Sequence, residues 1–128
     1  MAERNTQERE GAVFNYPLAA DTVISMGRMV MLNAGEAVPA SAIAAGVSVG
    51  IAQQTVEAVA GDTSVNAKKG TFLLANSAAA DEIVMTDVGS DCYVADDQTV
   101  AKTDGGATRP VAGRVEQIEG SGVWVTIR

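Results

Sequence analysis

Gly27-Arg28-Met29-Val30-Met31-Leu32 and Gly89-Ser90-Asp91-Cys92-Tyr93-Val94 are two renderings of one pattern, a glycine followed by an alternating strand, set 62 residues apart. Alternation sends successive side chains to opposite faces of a strand. Val30, Leu32, Cys92 and Val94, the matched apolar pairs, are therefore expected to face a core. Met29, Met31 and Tyr93 fall on the other face. The echo extends on both sides of this pair. Ala19-Ala20-Asp21-Thr22-Val23-Ile24 returns as Ala79-Ala80-Asp81-Glu82-Ile83-Val84, and Val38 returns as Val100. Val49-Gly50-Ile51-Ala52-Gln53-Gln54 returns as Ala112-Gly113-Arg114-Val115-Glu116-Gln117, and Val65-Asn66-Ala67 as Val123-Trp124-Val125. Matches in one order at nearly constant spacing predict one run of strands used twice, over about residues 19–75 and 79–128.

Turn chemistry separates the runs. Asn33-Ala34-Gly35, Gly61-Asp62, Lys68-Lys69-Gly70, Thr103-Asp104-Gly105-Gly106 and Glu119-Gly120-Ser121-Gly122 carry the Gly, Asn or Asp that tight turns require. In the last strand Val123, Val125 and Ile127 form one apolar face, which leaves Trp124 on the opposite face with Thr126 and Arg128. One short helix is conceivable, over Pro39 to Ala45 with Gly46 as its C-cap. The expected fold is all-β: a small single-domain β-barrel or sandwich of short strands with an internal pseudo-two-fold repeat.

Residues 1–12 are polar and mixed in charge, with neither helix nor strand periodicity. Phe14, Tyr16 and Leu18 alternate around Asn15 and Pro17, an extended segment whose apolar side lies against something; Pro17 confines it to an edge or a non-strand path. Residues 1–18 are therefore expected as an extended arm and 19–128 as the β domain. The N-terminus shows no apolar run after a basic start and is not expected to be a secretion signal. No segment offers the roughly 18 uninterrupted apolar residues of a membrane span.

The 128 residues are 47% hydrophobic but only 4% aromatic, so the core must be built of small and β-branched side chains. A net charge of −7 disfavours a grip on nucleic-acid phosphates. The sequence lacks histidine, the commonest general base and metal ligand, which excludes Ser-His and Cys-His nucleophiles. The single cysteine, Cys92, sits in an apolar alternating run and reads as a buried, inert thiol. Asp91, Asp96, Asp97 and Asp104 lack the spacing of a calcium loop and read as turn acids. Lys68 and Lys69 precede Gly70, which is the wrong order for a phosphate loop, and Gly46-Val47-Ser48-Val49-Gly50 has no βαβ unit around it. No catalytic, cofactor-binding or metal-binding residue is assigned, and no enzyme is expected. The residues left to carry function are large apolar ones off the aliphatic core or on the arm: Phe14, Tyr16, Leu18, Met29, Met31, Tyr93 and Trp124; for the last four, a second buried face of a closed barrel or sandwich is an equal alternative to a contact patch.

This repeated, Ala/Gly/Val-rich β chain resembles the head decoration, or capsid cement, proteins of tailed bacteriophages. The likeness is carried by Gly27 with Val30, Gly35-Glu36-Ala37-Val38, Val49-Gly50-Ile51-Ala52, Gly61-Asp62 with Val65, Gly70-Thr71-Phe72, Tyr93, Val111-Ala112-Gly113 and Val123-Trp124-Val125-Thr126-Ile127. It implies a virion protein made in the host cytoplasm, bound to the outer capsid surface as a homo-oligomer, commonly a trimer. Its partner would be the major capsid protein, whose neighbouring subunits it clamps. Two other classes fit the composition: another structural virion β-domain from tail or baseplate, and a carrier or carbohydrate-binding β module. A carrier would present a modifiable lysine at a hairpin tip, for which Lys68-Lys69 is the one candidate.

Overall fold

The computed structural model describes residues 12–128, and its elements are strands joined by turns and three single 3-10 turns. In chain order the strands are β1 (Val13–Pro17), β2 (Val23–Ile24), β3 (Met29–Asn33), β4 (Glu36–Pro39), β5 (Val47–Ala52), β6 (Val56–Glu57) and β7 (Ser64–Lys68). They continue with β8 (Gly70–Asn76), β9 (Asp91–Val94), β10 (Thr99–Ala101), β11 (Val111–Glu119) and β12 (Gly122–Ile127). The fold is all-β. One sheet runs β1-β7-β5-β3-β4, β2 and β6 form a small ribbon, and the remaining strands close into a barrel in the order β10-β8-β12-β11-β9.

The two larger sheets share an order of pairing. Each antiparallel neighbour in the first, β1–β7, β7–β5, β5–β3 and β3–β4, has its counterpart in β8–β12, β12–β11, β11–β9 and β9–β10. The barrel is closed by a parallel pair, β8 with β10; at the same place in the first sheet a single parallel bridge joins Leu18 to Ala37. The first sheet thus curls until its edge strands touch. Even the bulges agree. The β3–β5 ladder skips Val49 between the pairs Val30–Gly50 and Met31–Ser48, and the β9–β11 ladder skips Ala112 between Cys92–Gly113 and Tyr93–Val111.

Several expectations need correction. Residues 13–18, expected as the end of an arm, form β1 and its closing bridge, and their alternation brings Leu18 into the core of the first sheet with Tyr16 packed against it. Pro17 is tolerated there because β1 is an edge strand. The remainder of the arm, residues 1–11, lies outside the described residues. Lys68-Lys69-Gly70 is not a turn: β7 pairs with β1 and β8 with β12, so the chain passes from one sheet into the other at Lys69. The first sheet therefore ends at Lys68 and the barrel begins at Gly70. This crossing also removes the hairpin tip on which a carrier lysine would sit. Leu32 pairs with Ala37 and Val94 with Val100, so Ala37, not Val38, occupies the place of Val100. Pro39 to Ala45 holds no helix; Pro39 ends β4, and the segment closes in a tight turn with the Gly46 amide donating to the Ile43 carbonyl. A segment that short cannot nucleate a helix.

Two apolar clusters fill the molecule. Inside the first sheet are Leu18, Ile24, Val30, Val49, Val56 and Val65, with Tyr16 and Leu32 packed against them. The barrel interior holds Leu74, Ile83, Cys92, Val94, Val115, Val123 and Val125. The second cluster also contains Met29, Met31 and Ile51 from the outer face of the first sheet. Met29 and Met31, on the face open to either a contact patch or a second buried layer, are both 0% exposed. Alternation separates two faces but does not say that one of them is wet, and here the barrel covers the second. At the rim of this junction the Met29 amide donates to the Asp97 carbonyl at 2.7 Å and Arg28 meets Asp97 at 2.9 Å.

Cys92 lies wholly inside the barrel, its Sγ directed at the Gly113 carbonyl at 3.5 Å. Burial pushes the thiol up to about 12 from 9.0. Native protein is expected to resist a thiol reagent at pH 8 and to react fully in denaturant; rapid native labelling would contradict the burial. The folded thiol holds its proton longer than the unfolded one, so stability is unaffected below pH 9. Between pH 9 and 12 it should fall by at most ~1.4 kcal/mol per pH unit, a loss that Cys92→Ala lacks.

Candidate interaction surface

On the outside of the barrel, one row of side chains crosses three strands: Leu73 on β8, Trp124 on β12 and Gln117 on β11. Val123, Val125 and Ile127 take the inward positions of β12, which sends Trp124 out. The indole is half-buried, and its Nε1 donates to Glu119 Oε2 at 3.3 Å. Leu73 beside it is 48% exposed. Gly122 gives this leucine room, since a Cβ there would lie 2.7 Å from Leu73 Cδ1. The next row is polar: the hydroxyls of Thr71 and Thr126 are 2.8 Å apart, and Thr126 donates to Glu116.

The matching strands of the first sheet set the comparison. There Asn15 and Asn66 take the places of Leu73 and Trp124, and the Asn15 amide donates to Asn66 Oδ1 at 3.0 Å and to Ser64 Oγ at 3.1 Å. The same backbone arrangement thus tolerates a hydrogen-bonded amide pair at this position. A Trp–Leu pair there adds nothing that the strands need in order to pair. On this face Leu73 is exposed and Trp124 half-buried.

The seven residues expected to meet a partner are dispersed. Leu18 is buried and Tyr16 packs on the first core. Phe14 is half-buried at the end of the same sheet, with Lys69 Nζ 5.3 Å from its ring centre. Met29 and Met31 are internal. Tyr93 is half-buried beside a groove lined by Asp87, Ser90, Asp91 and Lys102. Only Trp124 has the expected placing together with an apolar neighbour. The neighbour itself, Leu73, is masked in sequence by the continuous run Phe72-Leu73-Leu74, which shows no alternation. Val84 and Met85, also exposed, lie by a hollow at the end of the barrel where Ile118 and Ser121 sit.

Of the four acids expected in turns, Asp91 instead begins β9 and is exposed, while the other three hold loop or turn contacts. Asp97 pairs with Arg28, Asp96 accepts from the Gln98 amide, and Asp104 accepts from the Gly106 amide. Thr103 donates to Asp81 Oδ1 at 2.6 Å and Arg109 approaches Asp81 at 3.3 Å. The threonine hydrogen bond first, and the arginine after it, hold the Asp81 carboxyl below its usual value and tie down the loop from 103 to 109. Among the described residues no group of three or more His, Cys, Asp or Glu is placed to hold a metal ion, and no helix is long and apolar enough to cross a membrane. Comparison with protein-family models, curated proteins and solved structures gives no significant match.

Proposed function

We propose that this chain is a non-enzymatic structural module that binds the outside of an assembled protein shell, in the manner of phage head decoration proteins, and reinforces the contacts between major capsid subunits. The observation that carries the reading is the outward-facing Leu73–Trp124 pair, the leucine exposed and the indole half-buried, set where the matching strands carry Asn15 and Asn66. It supplies an aromatic anchor of the kind that dominates protein interfaces. Phe14, Tyr16 and Leu18, candidate contact residues in the sequence, belong to the first sheet. Acidic charge keeps unassembled copies apart, and many copies on a lattice, trimers being favoured, turn modest contacts into strong reinforcement. The protein would reside on the virion's outer surface.

The test is to add the chain to expanded phage heads that lack it and follow their thermal disruption. A ligand that binds only the intact lattice stabilises it by RT ln(1 + [L]/Kd), about 2.7 kcal/mol per site at a hundredfold excess. Trp124→Ala with Leu73→Ser is expected to weaken co-sedimentation roughly 30-fold while the free protein keeps its melting temperature to within a few degrees. Full binding by the double variant would dismiss this surface, and absence of binding by the parent chain would dismiss the shell.

A further inference from the structure

The contact inside the chain is head to tail. The outer face of the first sheet, through Met29, Met31 and Ile51, joins one apolar cluster with Phe72 and Ile127, which lie at the end of the barrel where β8 begins and β12 finishes. A contact between two different surfaces leaves one of each unused at the ends of the chain. The shared register says which residues form them. Asp91, Tyr93 and Arg114 stand on the barrel where Met29, Met31 and Ile51 stand on the first sheet. Phe14 and Lys69 stand on the first sheet where Phe72 and Ile127 stand on the barrel.

At the barrel's unused face there is an open groove of about 530 Å³, with Asp91, Tyr93, Lys102 and Thr103 in its walls. The corresponding places on the first sheet, Met29, Met31, Pro39 and Ala40, adjoin the internal junction, and Met29, Met31 and Ala40 are buried in it. One pair of charges is opposite in sign, on a barrel face that also carries Asp87, Lys102 and, in the place of Ile51, Arg114. Two apolar residues of the internal contact, Met29 and Ile127, are replaced at the free ends by an acid, Asp91, and a base, Lys69. Asp91 is exposed and makes no ion pair among the described residues, while Lys69 is held over the Phe14 ring.

We propose that this groove receives the first sheet of a second copy of the chain, at the end marked by Lys69, so that copies join by the same head-to-tail contact that the chain makes within itself. The inference deepens the multi-copy part of the proposed function and rests on that part alone, not on the identity of the shell. A heterologous contact of this kind closes into a ring or grows into a fibre. A closed ring of three copies would set six β units about its axis, with opposite charges meeting at each junction between copies.

The experiment is light scattering on size-exclusion fractions of the purified full-length chain, with Asp91→Lys, Lys69→Asp and the double exchange. The parent chain is expected to be oligomeric at micromolar concentration, and each single variant to need at least about tenfold more protein to associate. The double exchange is expected to restore association, and circular dichroism to show all of them folded. A parent chain that stays monomeric at hundreds of micromolar overturns the proposal, as do single variants that associate normally or a double exchange that restores nothing. Head binding is scored separately by co-sedimentation. Association through these residues without head binding removes the shell and leaves the junction, whereas head binding by a monomer does the reverse.

Discussion

Gly50→Ala and Gly113→Ala are each expected to lower the free energy of unfolding by about 2–4 kcal/mol, a large part of the total for a domain of this size. Both glycines sit at the bulges where β5 and β11 cross to their next neighbour. A Cβ on Gly50 would lie 2.5 Å from the Lys68 carbonyl oxygen, and one on Gly113 would strike the Thr126 carbonyl oxygen. The obstacle in each case is backbone, which cannot rotate away as a side chain can. Gly50 also holds φ at +139°, a region that costs any L side chain further strain. Gly106, with positive φ but nothing within 4 Å of its would-be Cβ, is the comparison: its alanine variant should lose only about 1 kcal/mol. Urea midpoints at matched m-values measure all three. Gly50 and Gly113 variants no worse than the Gly106 variant would mean that the ladders can open at the bulge without cost.

These bulges explain why part of the fold was legible and part was not. Gly50 and Gly113 are visible in sequence only as matched positions of the echo, their close strand contacts being a property of the pairing, whereas Val123, Val125 and Ile127 follow directly from a strand with one inside and one outside. Short Ala-rich words carry less information. Ile24 and Ile83 are the buried members of their segments, whereas the echo aligned Val23 with Ile83, one place out. The Lys68–Gly70 stretch has turn composition, yet its job is to leave one sheet and enter another, which composition cannot distinguish from a reversal. The candidate surface was half readable. Trp124 followed from alternation within β12, but its partner Leu73 comes from β8, and only the pairing of the two strands brings them side by side. Alternation within β3 leaves open whether its outer face is wet or dry for a related reason: its covering comes from the barrel, through Phe72 and Ile127, and from the turn over 40–46.

Met31→Asp is therefore expected to be the most damaging single change in the chain and to prevent folding at room temperature. The side chain is fully buried in the cluster that joins the first sheet to the barrel. Its sulfur occupies space that the turn before β5 leaves open: a Cβ on Gly46 would come within 2.6 Å of it. An aspartate there loses the thioether's burial, roughly 1.5–3 kcal/mol, and adds a carboxylate that must stay ionised without a partner or take up a proton. Together these approach the whole stability of a domain of this size. Met31→Leu should cost less than about 1.5 kcal/mol, since it keeps the volume apolar. Met26→Asp, at a position 65% exposed, should change stability by no more than about 0.5 kcal/mol. Far-ultraviolet circular dichroism and thermal melts of the three variants decide the matter. If Met31→Asp folds and melts like the parent, the outer face of β3 is not dry. The head-to-tail junction within the chain would then lose its apolar seam, and with it the template for joining one copy to the next.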